Sequence, residues 1–234
     1  MVFIRKAGSH RTLVSTGLEE LDLLLRGEGY PDRSTVLVVG PSGIGKEALG
    51  YWFMASGLAQ GDYCLYVTRL AVSEVKQDVG AFRAGGKMDP FWISAEGGQV
   101  KLDINDLVGI STKIKEALRN SGGKRVRIVT DVLSSLLMLN PPETVYRFLT
   151  QLFAEIKQNY DAVILTTVEE GMHPPQVLAA MQQLFDGAIE LRLYEKGLRV
   201  MPLLRIVKMR GLPPQPAFFH VSYVGGKMEL KQYA

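Results

Sequence analysis

Residues 40–47 read GPSGIGKE, which satisfies the phosphate-loop pattern G-x-x-x-x-G-K-[ST] at every position but the last. In such a loop, consecutive backbone N–H groups curl around phosphate oxygens at a helix N-terminus. Glycines permit the curl, and the lysine reaches the β- and γ-phosphates. Gly40, Gly43, Gly45 and Lys46 supply those types, with Pro41, Ser42 and Ile44 filling the loop. Glu47 stands where a Ser or Thr hydroxyl would hold magnesium. A glutamate is longer and negative, and it faces phosphates that are themselves negative. With magnesium between them it can act as a ligand, because hard cations accept carboxylate oxygens. Without the metal, repulsion weakens triphosphate binding or turns the side chain away. The chemistry expected is binding of ATP or ADP with Mg2+, held by residues 41–47.

A second acid is placed to assist. Asp131 ends the apolar run VRIVTD, downstream of the loop. A carboxylate at the C-terminal end of a strand beside a phosphate loop orients magnesium or its waters, as a Walker-B acid does. It can equally cap a helix beginning at VLSSLL, and the two roles are compatible. Glu47 and Asp131 are thus the candidate metal-associated residues.

The elements that must position these groups alternate along the chain. TVLVVG (35–40) reads as a buried strand running directly into the loop, and 47–59 as a helix apolar nearly all round. Further strands are expected at 63–68, 90–95, 126–131 and 161–167. Helices are expected at 72–84, 107–120 and 142–159, the last started by Pro141-Pro142. Continuous apolar strands between helices imply a mostly parallel sheet covered on both faces. After residue 187 the pattern changes to hairpins, turning at Lys196-Gly197 and Gly225-Gly226. The expected architecture is α/β, with a parallel core closed by C-terminal antiparallel hairpins, as a single domain over 1–234.

Bulk properties narrow the classes. The 234 residues are 47% hydrophobic and 22% charged, ordinary for a globular chain. A net charge of +3 is too small to imply nucleic acid by itself. The one cysteine, Cys64, lies in the apolar run YCLYV and reads as a buried structural thiol, and the three histidines are too scattered for a metal cluster. No run approaches the ~18 apolar residues of a membrane span, and the N-terminus lacks a signal-peptide core. The expected compartment is the cytoplasm, with no membrane insertion.

Several segments in order resemble the KaiC-like and RadA-like branch of the RecA-type P-loop ATPases. They are STGLEELDLLLRGEG (15–29), GPSGIGK, RIVTDVLSSLL, DGAIEL (186–191), and LLRIVKMRG (203–211) with AFFHVSYVGGKMEL. The resemblance implies a RecA-like fold, homo-oligomeric rings (often hexamers), and Lys208 and Arg210 as contacts to a neighbouring subunit's phosphates; Arg205 is taken as structural. It points to a polar γ-phosphate sensor near Thr166-Thr167, followed by Glu169-Glu170, while a turn or helix cap explains those residues equally well. His173 reads as a loop residue, Trp52 and Phe53 as core, and Arg83, Lys87 and Lys101 as surface residues rather than pore residues.

The family also carries T-x-E-E after the second core strand, to activate water; here the segment reads Thr68-Arg69-Leu70-Ala71, with no carboxylate before Glu74. Two catalytic parts are changed together. The expectation is an ATP-binding regulatory switch or scaffold with weak or absent hydrolysis and an unidentified protein partner. Relatives of this kind act in signalling, archaeal motility and DNA-repair regulation. The rivals are an ATPase rewired through Glu47 or Glu74, a scaffold that no longer binds nucleotide, and a recombinase paralogue on single-stranded DNA. The last is disfavoured for want of a basic–aromatic stripe.

Overall fold

A computed structural model of the chain describes residues 13–27, 29–81, 89–225 and 227–233. In order, the first elements are β1 (Leu13–Val14), α1 (Glu19–Leu24), β2 (Tyr30–Pro31), β3 (Thr35–Gly40), α2 (Glu47–Gln60) and β4 (Tyr63–Ala71). They are followed by α3 (Val72–Ala81), β5 (Phe91–Glu96), β6 (Val100–Lys101), α4 (Leu107–Arg119), β7 (Val126–Thr130) and α5 (Leu133–Leu139). The chain continues through α6 (Pro142–Asn159), β8 (Ala162–Glu169) and α7 (Pro175–Leu184). It closes with β9 (Gly187–Lys196), β10 (Arg199–Met209), β11 (Phe219–Val224) and β12 (Lys227–Gln232). The end of the helix expected at 72–84, and Arg83 and Lys87, lie outside the described residues.

Ten strands form one sheet in the order β12-β11-β10-β9-β3-β8-β7-β4-β5-β6. From β9 to β6 all neighbours run parallel, and β10, β11 and β12 add antiparallel. Strand β3, which feeds the phosphate loop, is therefore central, between β8 and β9. The strands are apolar throughout because alternate side chains enter different cores. Val36, Val38, Cys64, Tyr66 and Val129 join the layer under α2, while Leu37, Val39, Leu65, Val67 and Ile128 join that under α4–α6. Helix α2 buries Leu49, Tyr51, Trp52, Phe53 and Met54 in sequence, as its all-round apolar pattern requires. Cys64 is buried, and burial pushes its thiol up to about 12, so it stays protonated.

The STGLEELD segment is a clasp. Asp22 accepts hydrogen bonds from Ser15 Oγ and Thr16 N, both at 2.7 Å. Gly17 has φ +85°, and a Cβ there would lie 2.2 Å from the Trp52 carbonyl oxygen, so only glycine fits against α2. A fully buried cation locks the clasp to the sheet. Arg127 of β7 pairs with Asp62 at 2.7 Å and donates to the carbonyls of Ser15 (2.7 Å) and Phe53 (3.0 Å). It also lies over the Phe53 ring. Such a charge is tolerable in the interior because its donors are met.

Candidate phosphate-binding site

Gly43 and Gly45 take φ of +75° and +86°, the left-handed turns that bend residues 41–46 back over the N-terminus of α2. Lys46 follows in helical geometry and is 1% exposed. Its Nζ lies 2.8 Å from Glu47 Oε1 and 2.7 Å from Glu169 Oε1. Both are close ion pairs, although neither meets the angular requirement of a hydrogen bond. The lysine expected to meet phosphate therefore meets two carboxylates. Glu169 ends β8, in register with Gly40 of β3, which is how a residue far along the chain reaches the loop.

Asp131 follows β7 and is partly buried. Its Oδ2 accepts from Thr68 Oγ1 at 2.8 Å and its Oδ1 from the Arg69 amide at 3.3 Å. Burial pushes its carboxyl up to about 6; the bonds from Thr68 and Arg69 oppose the rise, and the charge of Glu47 adds to it. Glu47 and Asp131 thus share one electrostatic neighbourhood. Asp131 does not cap α5, whose N-cap is Val132 with no side-chain bond. The end of β4, where paired glutamates were sought, presents Arg69 and Leu70 to the same pocket. Glu74 is turned back, its carboxylate accepting from the Ala71 amide at 2.8 Å.

These groups line one open pocket of about 350 Å³, bounded by Lys46, Glu47, Arg69, Asp131, Ser134 and Glu169 among others. Thr167 lines it, whereas Thr166 Oγ1 is buried without a hydrogen-bond partner among the described residues. The residues fit a phosphate chain: a glycine-turned loop at a helix N-terminus and a buried ammonium at its base. They fit magnesium only in company with phosphate. Among the described residues no three His, Cys, Asp or Glu side chains are grouped to hold a metal, so Glu47 and Asp131 need phosphate oxygens and water to complete a shell.

Lys208 and Arg210 lie elsewhere. Lys208 pairs in register with Ala188, and the Arg210 amide donates to the Asp186 carbonyl, at the end of β9 that aligns with Val36. Gly40 is four residues further along β3, about 13 Å away at the rise of a strand. Neither residue can serve the loop of its own chain. Arg210 pairs with Asp186 Oδ1 at 3.0 Å and donates to the carbonyls of Asp32 and Arg33. Lys208 is half-buried; burial lowers its pKa and the charge of Asp186 opposes that. Asp186 also accepts from the Thr35 amide and Lys157. Burial alone would raise the Asp186 carboxyl, but these bonds and cations hold it below the usual range. Arg205 pairs with Glu190 and covers the Phe218 ring. Lys101 is exposed, His173 is buried in the segment before α7, and Trp52 and Phe53 are core.

Two residues escaped the sequence reading: Ser134, which lines the pocket, and Tyr223, which does not. Ser134 Oγ accepts from the Glu169 amide at 2.8 Å and pins the end of β8. Tyr223, on β11, has its phenol pushed up to about 12 by burial and by the charge of Glu47, which brings that hairpin near the loop. The first contact had no signal in the sequence, because the expected strand ended at 167 and Glu169 read as a turn or cap residue.

A glycine-turned loop at the C-terminal end of a central parallel strand, with antiparallel strands closing the sheet, defines a RecA-like P-loop domain. A family model described as "ATPase: KaiC" matches residues 14–223, and the chain belongs to the KaiC ATPase family. It is 28% identical over 220 residues to a UPF0273 protein of Aeropyrum pernix, with 85% of each chain covered. It is 28% identical over 227 residues to a UPF0273 protein of Thermotoga maritima, covering 85% of this chain and 87% of that one. Similarity to the circadian clock protein KaiC2 of Synechocystis is 26% over 209 residues, covering 85% of this chain and 35% of that protein. The chain thus spans about a third of that relative. No described helix is long and apolar enough to cross a membrane.

Proposed function

We propose that the chain is one KaiC-like domain over 1–234 that binds adenine nucleotide through residues 41–47 and acts as a nucleotide-dependent regulatory switch or scaffold, hydrolysing ATP slowly or not at all. The observation that carries this reading is the double replacement at the site. Lys46 sits in a phosphate loop, yet Glu47 stands in place of the hydroxyl, and Arg69 and Leu70 stand where carboxylates would activate water. Lys46 and the loop amides bind the phosphates, and Asp131, fixed by Thr68 and Arg69, orients the metal side of the site. Magnesium, when bound, neutralises phosphate charge that would otherwise face Glu47. The end of β4 puts no carboxylate into the pocket to take a proton from water, because Glu74 turns back to the Ala71 amide and does not line it.

Calorimetry with ATP and ADP, with and without magnesium, tests the binding half of the proposal. Binding that depends on magnesium and disappears in Lys46→Ala supports it, and absence of binding in every condition overturns it. A phosphate-release assay tests the other half. Turnover abolished by Lys46→Ala would reinstate a working ATPase. In a homo-oligomer, Lys208 and Arg210 would reach a neighbour's phosphates, Arg210 by exchanging Asp186 for them.

A further inference from the structure

The contact between Lys46 and Glu169 bears on which nucleotide the loop accepts, and the inference rests on the nucleotide-binding reading above. Glu169 cannot withdraw with its strand. Its amide donates to Ser134 Oγ at 2.8 Å, and the next amide, Glu170, donates to the Gly40 carbonyl at 2.9 Å. Only the side chain is free to rotate. One carboxylate oxygen lies 2.7 Å from Lys46 Nζ; the other, Oε2, is buried and takes no hydrogen bond among the described residues. The side chain lines the pocket beside Asp131 and Thr167.

A phosphate-loop lysine bridges the β- and γ-phosphates. In a diphosphate complex the loop amides hold the β-phosphate, and the far side of the lysine stays available to Glu169. In a triphosphate complex the γ-phosphate oxygens need that same side. They must displace a carboxylate whose backbone is fixed, and then lie next to it. We propose that Glu169 is a built-in surrogate for the terminal phosphate, so that the site selects nucleoside diphosphates over triphosphates. Glu47, adjoining the metal position, weakens both nucleotides; Glu169 weakens only the triphosphate.

Titration calorimetry of the full chain in magnesium, with ADP and with a non-hydrolysable ATP analogue, tests this. The wild-type protein is expected to bind ADP at least ten-fold more tightly than the analogue. Glu169→Gln, which keeps shape and removes charge, is expected to tighten analogue binding at least five-fold while ADP changes less than three-fold. Glu47→Thr should tighten both. Equal wild-type affinities, or an equal shift of both nucleotides in Glu169→Gln, overturn the proposal and leave nucleotide binding standing. Failure of the wild type to bind either nucleotide removes both readings. Equal wild-type affinities overturn the proposal even if the variants do not fold.

Discussion

At the scale of single residues, the site is governed by how one ammonium is shared. Lys46 is buried, and Glu47 and Glu169 are partly exposed, with side-chain exposures of 31% and 23%. Removing the cation leaves two carboxylates facing each other without a counter-charge. Lys46→Met should therefore destabilise the fold by about 1–2 kcal/mol, solvent screening keeping the loss below that of a wholly buried pair. Adding Glu169→Gln should recover part of the loss. Urea unfolding of the single and double variants measures that coupling. Asp186 governs the other end of the sheet. Because its carboxyl is held below its usual range in the folded chain, its stabilisation is complete above about pH 4. That contribution is lost as pH falls through the folded value. Asp186→Asn should lower stability at pH 7 by about 1–2 kcal/mol and flatten the acid limb of a stability–pH curve, read by thermal melts between pH 2 and 7.

At the scale of elements, the clasp over α2 is the most exacting piece. Arg127→Met removes the donors that satisfy Asp62 and the Ser15 and Phe53 carbonyls, and should cost about 3–5 kcal/mol by chemical denaturation. Gly17→Ala should cost more than about 2 kcal/mol, from the left-handed backbone and the clash with Trp52. Much of the element plan was legible in the sequence. Helix α6 runs Pro142–Asn159, the expected range, because Pro141-Pro142 fixes its start and Val145, Leu149, Leu152 and Ile156 mark one face. The hairpin turns fell where their glycines put them. Helix α5 was read only as a helix that Asp131 could cap at VLSSLL, because the seven residues LSSLLML are too few to show a period. Helix α7 was missed although Val177, Leu178, Met181 and Leu184 recur at helical spacing and pack on the core; it is short, and only Met181 is fully buried. Of the site, the loop and Asp131 were legible because both lie at strand ends with defined spacing. The Lys46–Glu169 contact was not, because it depends on β8 being the spatial neighbour of β3, and strand order is not a local property.

At the scale of the whole molecule, the sheet holds the phosphate loop and the Lys208–Arg210 segment apart. The loop opens where β3 ends, and Lys208 and Arg210 lie at the level where β3 begins. A phosphate contact by Lys208 therefore requires a second copy of the chain. Lys208→Ala should leave nucleotide affinity unchanged in dilute monomer and weaken it about ten-fold in any assembled oligomer, the state of each sample being fixed by sedimentation velocity. The central position of β3 has a further consequence, for the order of assembly. Its partners β8 and β9 begin at Ala162 and Gly187, and its first residue, Thr35, is fastened by Asp186, 151 positions away. During synthesis the strand that carries the loop is made early, yet both its edges stay unpaired until most of the chain has emerged. Contacts this distant in sequence close slowly, and an unpaired apolar strand is open to wrong partners in the meantime. A nascent chain cut short before β9 would expose β3 as a bare edge, and the capacity to grip a phosphate would be among the last things the protein acquires.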